Sequence, residues 1–231
     1  IELPATDPAG SFRLFLEEGN ASIEDLVADE ILDSYSLEGV TSIVVNGSIN
    51  PDELTIDFVG GEFSVPIHFA GNDPEVGPGD QLVLINGESE TITHLFSDAS
   101  SGEVNIIGDA LTQAITYEGL EPVLDNLNAN HRVFTFLGGT EEIVLRDDGV
   151  AGDNFNIIDS TLGEIVTFLN PINSLTINAG TGDDLVEIDE LDSLTSFDDL
   201  IVSGDDGADE IRLYELPSGI AASLSGGSET D

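Results

Sequence analysis

SLTINAGTGDDLVEIDELDSLTSFDDLIVSGDDGADEIRL, residues 174–213, is one structural unit written twice. A short apolar strand runs into a Gly/Asp turn, a second strand follows, and the unit recurs. Leu175-Thr176-Ile177-Asn178-Ala179-Gly180 is answered by Leu200-Ile201-Val202-Ser203-Gly204, and Gly182 is answered by Gly207, 25 positions on. A fixed interval of this size, carrying strands and turns, is the mark of a solenoid.

Outward from this unit the pattern persists. Apolar runs end in turn residues at Gly47, Gly71, Gly87, Gly108, Gly138, Asp159, Gly180, Gly204 and Gly226, a step of roughly 22 residues. Two or three short strands per step leave no room for a βαβ unit, which needs about 30 residues. The sequence therefore predicts an all-β fold, a parallel β-helix over residues 39–231, with no linker inside it. An antiparallel β-sandwich is the alternative, since it too spaces strands 8 to 12 residues apart. Residues 71–81 read as a Pro/Gly loop, and Gly119–Asn130 as an insertion of loop or short-helix character.

Residues 1–38 read as an N-terminal strand and a capping helix. Phe12, Leu14 and Leu16 alternate behind a Pro-containing lead and show no local hairpin partner. Asn20–Ser34 is the helix candidate: Ser22 caps it, Glu24 and Asp25 suit its first turn, and Ile23, Leu26, Val27 and Ile31 share a face. Such a helix would cover the end of the solenoid core.

The charge is extreme. There are 47 acidic residues against four arginines, no lysine, and a formal net charge of −43. Nothing here can neutralise phosphates, so nucleic acid is excluded as a partner. Self-repulsion on this scale calls for screening salt or bound cations. There is no cysteine, so no disulfide holds the chain, and no methionine, so Ile1 is read as following a processing or excision point. No stretch approaches the ~20 apolar residues of a membrane-spanning helix.

The turns supply candidate cation ligands. Ala179–Glu187 fits the calcium-binding nonapeptide G-G-x-G-x-D-x-U-x with one Gly-to-Ala departure, and Gly204–Arg212 fits it with Asp205 at the second glycine. Asp148–Asn154 is a degenerate third copy. Calcium takes six to eight oxygens, and glycines let a turn aim carbonyls while Asp adds charge. The candidate metal residues are Gly180, Gly182, Asp183, Asp184, Asp205, Asp206, Gly207 and Asp209.

The C-terminal part resembles RTX-type, haemolysin-like calcium-binding repeats. The runs RDDGVAGDNFNIIDS (146–160), IVTFLNPINSLTINAGTGDDLVEI (165–188) and ITYEGLEPVLDNLNANHRVFTFLGGTEEIVLRDDG (115–149) resemble modules of very large secreted bacterial surface proteins. The resemblance spans roughly residues 80–226 and implies an extracellular, calcium-dependent β-helical building block with no established catalysis. Here the nonapeptides lie a whole repeat apart rather than in tandem.

No G-x-S-x-G, Walker loop, H-E-x-x-H or cysteine nucleophile is present, and His68, His94 and His131 are isolated. The expectation is a non-enzymatic extracellular structural module acting in filament assembly or adhesion. A carbohydrate-active β-helix (lyase or hydrolase) is the alternative. The expected partners are surface glycans and further copies of the chain, joined head to tail, with the Phe12–Leu16 strand of one copy augmenting the C-terminal rung (Ala221–Gly227) of the next.

Overall fold

The computed structural model describes residue 1 and residues 10–72, 79–108 and 112–227. Most of the N-terminal lead and the centre of the 71–81 loop lie outside the described residues. Among those described there is no α-helix, only one 3-10 turn at Phe58–Gly60, and eighteen strands join a continuous mixed sheet. No helix among them is long and apolar enough to cross a membrane.

The chain opens with an antiparallel meander, β1 (Gly10–Glu17), β2 (Asn20–Asp25) and β3 (Glu30–Ser36). Four strands follow: β4 (Ile43–Asn46), β5 (Asp52–Asp57), β6 (Ile67–Ala70) and the long β7 (Asp80–Asp98). After β8 (Ser101–Ile107) and β9 (Thr112–Glu118) comes a second long strand, β10 (Leu120–Phe136). Then come β11 (Glu142–Asp147), β12 (Phe155–Ser160) and β13 (Val166–Leu169). The repeat unit supplies β14 (Ser174–Asn178), β15 (Leu185–Ile188), β16 (Asp199–Ser203) and β17 (Glu210–Leu213), and β18 (Ala221–Ser225) ends the series.

Pairing arranges these strands in two ladders. In the first, β1, β5, the first half of β7, the first half of β10 and β13 run parallel. It continues antiparallel through β12 to β11, then parallel through β15 to β17. In the second, β4, β6 and β9 run parallel, and β8 joins β9 to the second half of β7 antiparallel. From there β10, β14, β16 and β18 run parallel. The long strands β7 and β10 belong to both ladders. They cross at Asn86, which has φ 60°, and at the register shift between Asn126 and Asn128.

The repeat read from the sequence lies in register: Leu175 pairs with Leu200, and Val186 with Ile211. Wider separations, such as Phe134 with Ile177, arise where antiparallel strands are inserted between parallel neighbours. Of the stretch expected as an insertion, Gly119–Asn130, all but Gly119 is instead the first part of β10. It alternates buried Leu120, Val123, Asp125, Leu127 and Ala129 with more exposed neighbours. Strands on both flanks satisfy its backbone, which outweighs the loop character of its Asn, Gly and Pro content.

The expected capping helix is not there. Asn20–Ser36 is a hairpin, and Ala21, Ile23 and Asp25 point inward with a strand's period of two. Leu26, Val27 and Ile31, which a helix would bury, are 42%, 74% and 51% exposed. Local chemistry explains the reversal. The Asp25 carboxylate accepts the backbone N–H groups of Val27 and Ala28, fixing a turn inside the expected helix, and Asp29 takes φ 55° to complete it.

The Phe12–Leu16 strand is not partnerless either. Glu18 and Gly19, both at positive φ, form a two-residue turn that folds β2 against β1, while β5 takes the other edge. With both edges paired inside its own chain, β1 is not a free donor strand for a neighbouring copy. At the far end, among the described residues, β17 and β18 are each paired on one side only, with β15 and β16.

Alternate residues of both ladders meet in one apolar cluster, running from Phe12, Leu14 and Leu54 through Leu84, Ile92 and Phe134 to Val186 and Val202. At its centre lies a fully buried charged group. Asp125 of β10 accepts hydrogen bonds from the Arg132 guanidinium, from His94 Nε2 at 2.8 Å and from the backbone N–H of Leu127 at 3.1 Å. Arg132 Nη2 also reaches the Leu127 carbonyl at 2.9 Å. Burial pulls the Asp125 carboxyl upward, but the Arg132 charge and the His94 hydrogen bond outweigh it and hold the group below its ordinary value. Burial keeps His94 neutral against the pull of Asp125. Its ring stacks on Phe134 at 5.0 Å, and Phe96 stacks on Phe136 at 4.6 Å.

Replacing Arg132 with Met leaves a buried carboxylate without its counter-charge. The expected loss is about 3–5 kcal/mol in urea unfolding at neutral pH. The double variant Arg132→Met/Asp125→Leu should recover part of it, because no unpaired charge remains.

Candidate functional site

The turns that enter the first ladder from the second stack on one another. The turn between β14 and β15 (179–184) lies between the turn that follows β10 (137–141) and the one between β16 and β17 (204–209). Glycine is required here by close approach. A Cβ at Gly180 would stand 2.2 Å from the Phe136 carbonyl oxygen, and one at Gly207 would stand 1.6 Å from that of Gly182. The backbones bridge directly: Asp206 N–H donates to Gly180 O at 3.0 Å, and Gly182 N–H to Asp206 O at 2.9 Å. These glycines therefore serve stacking first, and the Gly180 and Asp206 carbonyls hold turn to turn.

Each turn closes on an acidic residue, and these form a column. Asp184 N–H donates to Asp209 Oδ1 at 2.9 Å, and Glu141 N–H donates to Asp184 Oδ1 at 2.8 Å. Asp183 Oδ1 accepts Ala208 N–H at 3.0 Å. The second oxygens, Asp184 Oδ2, Asp209 Oδ2 and Glu141 Oε1, are buried and make no hydrogen bond. Burial drives the Asp184 carboxyl above its ordinary value, and the charges of Asp209 and Asp183 add to it. Glu141 is raised in the same way, by burial and by Asp184, with the Ser160 hydroxyl opposing. Beside the column is a hollow of about 380 Å³ lined by Thr140, Glu141, Glu142, Asp183, Asp184 and Glu210, with no cationic side chain.

Of the sequence-predicted residues, Gly180, Gly182, Asp183, Asp184, Asp206, Gly207 and Asp209 come together in this stack. Asp205 points away, accepting the Ser203 hydroxyl at 2.6 Å on the exposed side. The third copy, Asp148–Asn154, joins a different latch. The backbone N–H groups of Gly152 and Asn154 donate to Asp192, which also receives Leu194 N–H. Glu141 was missed by sequence reasoning, though Gly138-Gly139-Thr140-Glu141 mirrors Thr181-Gly182-Asp183-Asp184.

The chemistry of the column suits a hard cation: buried, unsatisfied carboxylate oxygens with no competing base. The fit is of donor type and not of a preformed shell, since among the described residues no group of three or more His, Cys, Asp or Glu converges to hold a metal ion. A groove of about 510 Å³ lies elsewhere, among Glu88, Ser89, Glu90, Asn128, Asn130 and Ile172. Compared with known proteins, the chain matches no family model, no curated protein and no solved structure.

One further buried carboxyl stands apart. Glu164 is 1% exposed and keeps one oxygen without a partner, near Tyr117, whose buried hydroxyl is also unpartnered. Burial, with the charges of Glu121, Asp159 and Asp98, pushes Glu164 up to about 8, against the hydrogen bond from Ile165 N–H. Its folded value lies above its unfolded one, so the native state holds an extra proton between them. The contribution of Glu164 to stability is therefore complete below about pH 4.5 and is lost as pH rises to about 8, by an amount on the order of 4 kcal/mol. Glu164→Gln should flatten that slope and raise urea stability at pH above 8. Identical pH profiles for the two proteins would contradict the assignment.

Proposed function

We propose that this protein is an extracellular structural module whose stacked turns are stabilised by calcium, serving surface attachment or assembly rather than catalysis. The single observation that carries the reading is the Glu141–Asp184–Asp209 column. It sets buried carboxylate oxygens without partners one strand apart, in a chain of net charge −43. Like charges at the ~4.8 Å spacing of neighbouring strands repel. The column therefore either takes up protons or binds a cation, and calcium accepts irregular oxygen sets of this kind.

The regular 25-residue step and the parallel pairing of β14 to β18 support a solenoid of β-helical type at this end of the chain. Assembly by exchange of the Phe12–Leu16 strand is not part of the reading, because β1 is held on both edges. The one-sided strands β17 and β18 are the place for further strands to add.

Calcium at a hundredfold excess over its dissociation constant should stabilise the fold by about 2.7 kcal/mol relative to excess chelator. Asp184→Asn keeps an oxygen to accept Glu141 N–H but removes the charge. It should raise the melting temperature in chelator and cancel most of the calcium-dependent increase. Equal melting of the native protein in chelator and in millimolar calcium would overturn the proposal.

A further inference from the structure

The arrangement at the C-terminal turns has a counterpart near the start of the chain, where no nonapeptide is written. Between β4 and β5, Ser48 N–H donates to Asp52 Oδ2 at 2.5 Å, and Asp52 N–H donates to Asp80 Oδ1 at 2.6 Å. One link is shared with Glu141–Asp184–Asp209, the N–H of one turn's carboxylate residue going to the carboxylate of the next turn, while the N–H that Asp52 accepts comes from its own turn rather than a neighbouring one. Asp52 is 2% exposed, and its Oδ1 is buried with no hydrogen-bond partner. Asp52 borders a cavity of about 270 Å³ whose walls include Ser11, Glu53, Gln81 and Glu121. Gly10, also on the wall, makes room for Oδ1, since a Cβ there would lie 2.6 Å from it. Ser11 Oγ holds the Glu53 carboxylate at 2.9 Å. No cationic side chain lines the cavity.

We propose that this cavity is a second divalent-cation site, with Asp52 as its buried ligand and Glu53 and Glu121 as the charges that draw the ion in. Carboxylate donors with no histidine or cysteine among the lining residues select a hard cation, and an irregular set favours calcium over magnesium, which demands a near-ideal octahedron. The described carboxylates do not converge on a ready-made shell, so water fills the remaining positions. Affinity is accordingly modest, with a dissociation constant of about 10⁻⁴–10⁻³ M. Burial raises the Asp52 carboxyl against the hydrogen bonds from Ser48.

The test is calcium binding by flow dialysis at physiological salt on the full chain and on Asp52→Asn, Glu121→Gln and Asp184→Asn. Asp52→Asn retains an acceptor for Ser48 N–H, and Glu121 is exposed. Relative to the native protein, Asp52→Asn should lose one saturable calcium, and Glu121→Gln should weaken that site about tenfold. Asp184→Asn should leave the site intact, so a loss confined to Asp184→Asn sinks this proposal while sparing the turn site, and the reverse spares this one. An unchanged stoichiometry in Asp52→Asn overturns it, as does a calcium-free gain in stability with no change in binding, which would make Asp52 a protonated turn cap only. Should Asp52→Asn fail to fold, native calcium affinity in Glu53→Gln/Glu121→Gln overturns the proposal equally.

Discussion

The Asp125 carboxylate is the point on which both ladders depend. It lies on the first half of β10, while the Arg132 and His94 groups that hold it come from the second halves of β10 and β7. The same carboxylate accepts Leu127 N–H, beside the register shift that turns β10 from one ladder into the other. Around it the rings of Phe96, Phe134, Phe136 and Phe168 close out water. In so apolar a setting each charge is tolerable only because the others are present. The bend and the pairing are therefore locked together.

The rest of the molecule meets the opposite difficulty, too many carboxylates and too few counter-charges. All four arginines are committed to ion pairs: Arg13 with Glu24 and Asp57, Arg132 with Asp125, Arg146 with Asp159, and Arg212 with Glu187 and Glu210. The remaining buried acids lean on backbone N–H groups, and the number of donors decides their state. Burial alone would raise Asp192, but N–H groups from Leu194, Gly152 and Asn154 hold it below its ordinary value. Asp184 takes one such bond and Asp52 only those from Ser48, and both are raised. A carboxylate saturated with donors is a finished turn cap. One with a bare oxygen remains a place for a proton or a cation.

Much of the candidate site was legible. The Gly/Asp turns named their own residues, and a 25-residue step put Asp184 beside Asp209. Glu141 was harder to see because its partner lies 43 residues away, beyond an inserted antiparallel hairpin that breaks the period. The pocket at Asp52 carries no motif at all. It arises from the meeting of the turn before β5 with Gly10, Ser11 and Glu121, segments that are distant in sequence.

Although the turns expected at Gly87 and Asp159 fall inside β7 and β12, the sequence by itself determined the mainly strand character, the in-register repeat from Ser174 to Leu213 with its Gly/Asp turns, and the need to manage a large negative charge. These follow from local alternation, from glycine and aspartate chemistry and from composition, none of which depends on distant partners. Only the tertiary structure decided that Asn20–Ser36 is a hairpin, that Leu120–Asn130 is a strand and that antiparallel strands interrupt the parallel ladders. In each case the local pattern was compatible with more than one conformation. For Leu120–Asn130 the choice fell to partners far along the chain, such as Val123 with Leu82 and Val166, and for Asn20–Ser36 to the Asp25 turn and the pairing of β2 with β1. A backbone edge takes whichever neighbour buries its apolar face, and that is settled by packing rather than by period.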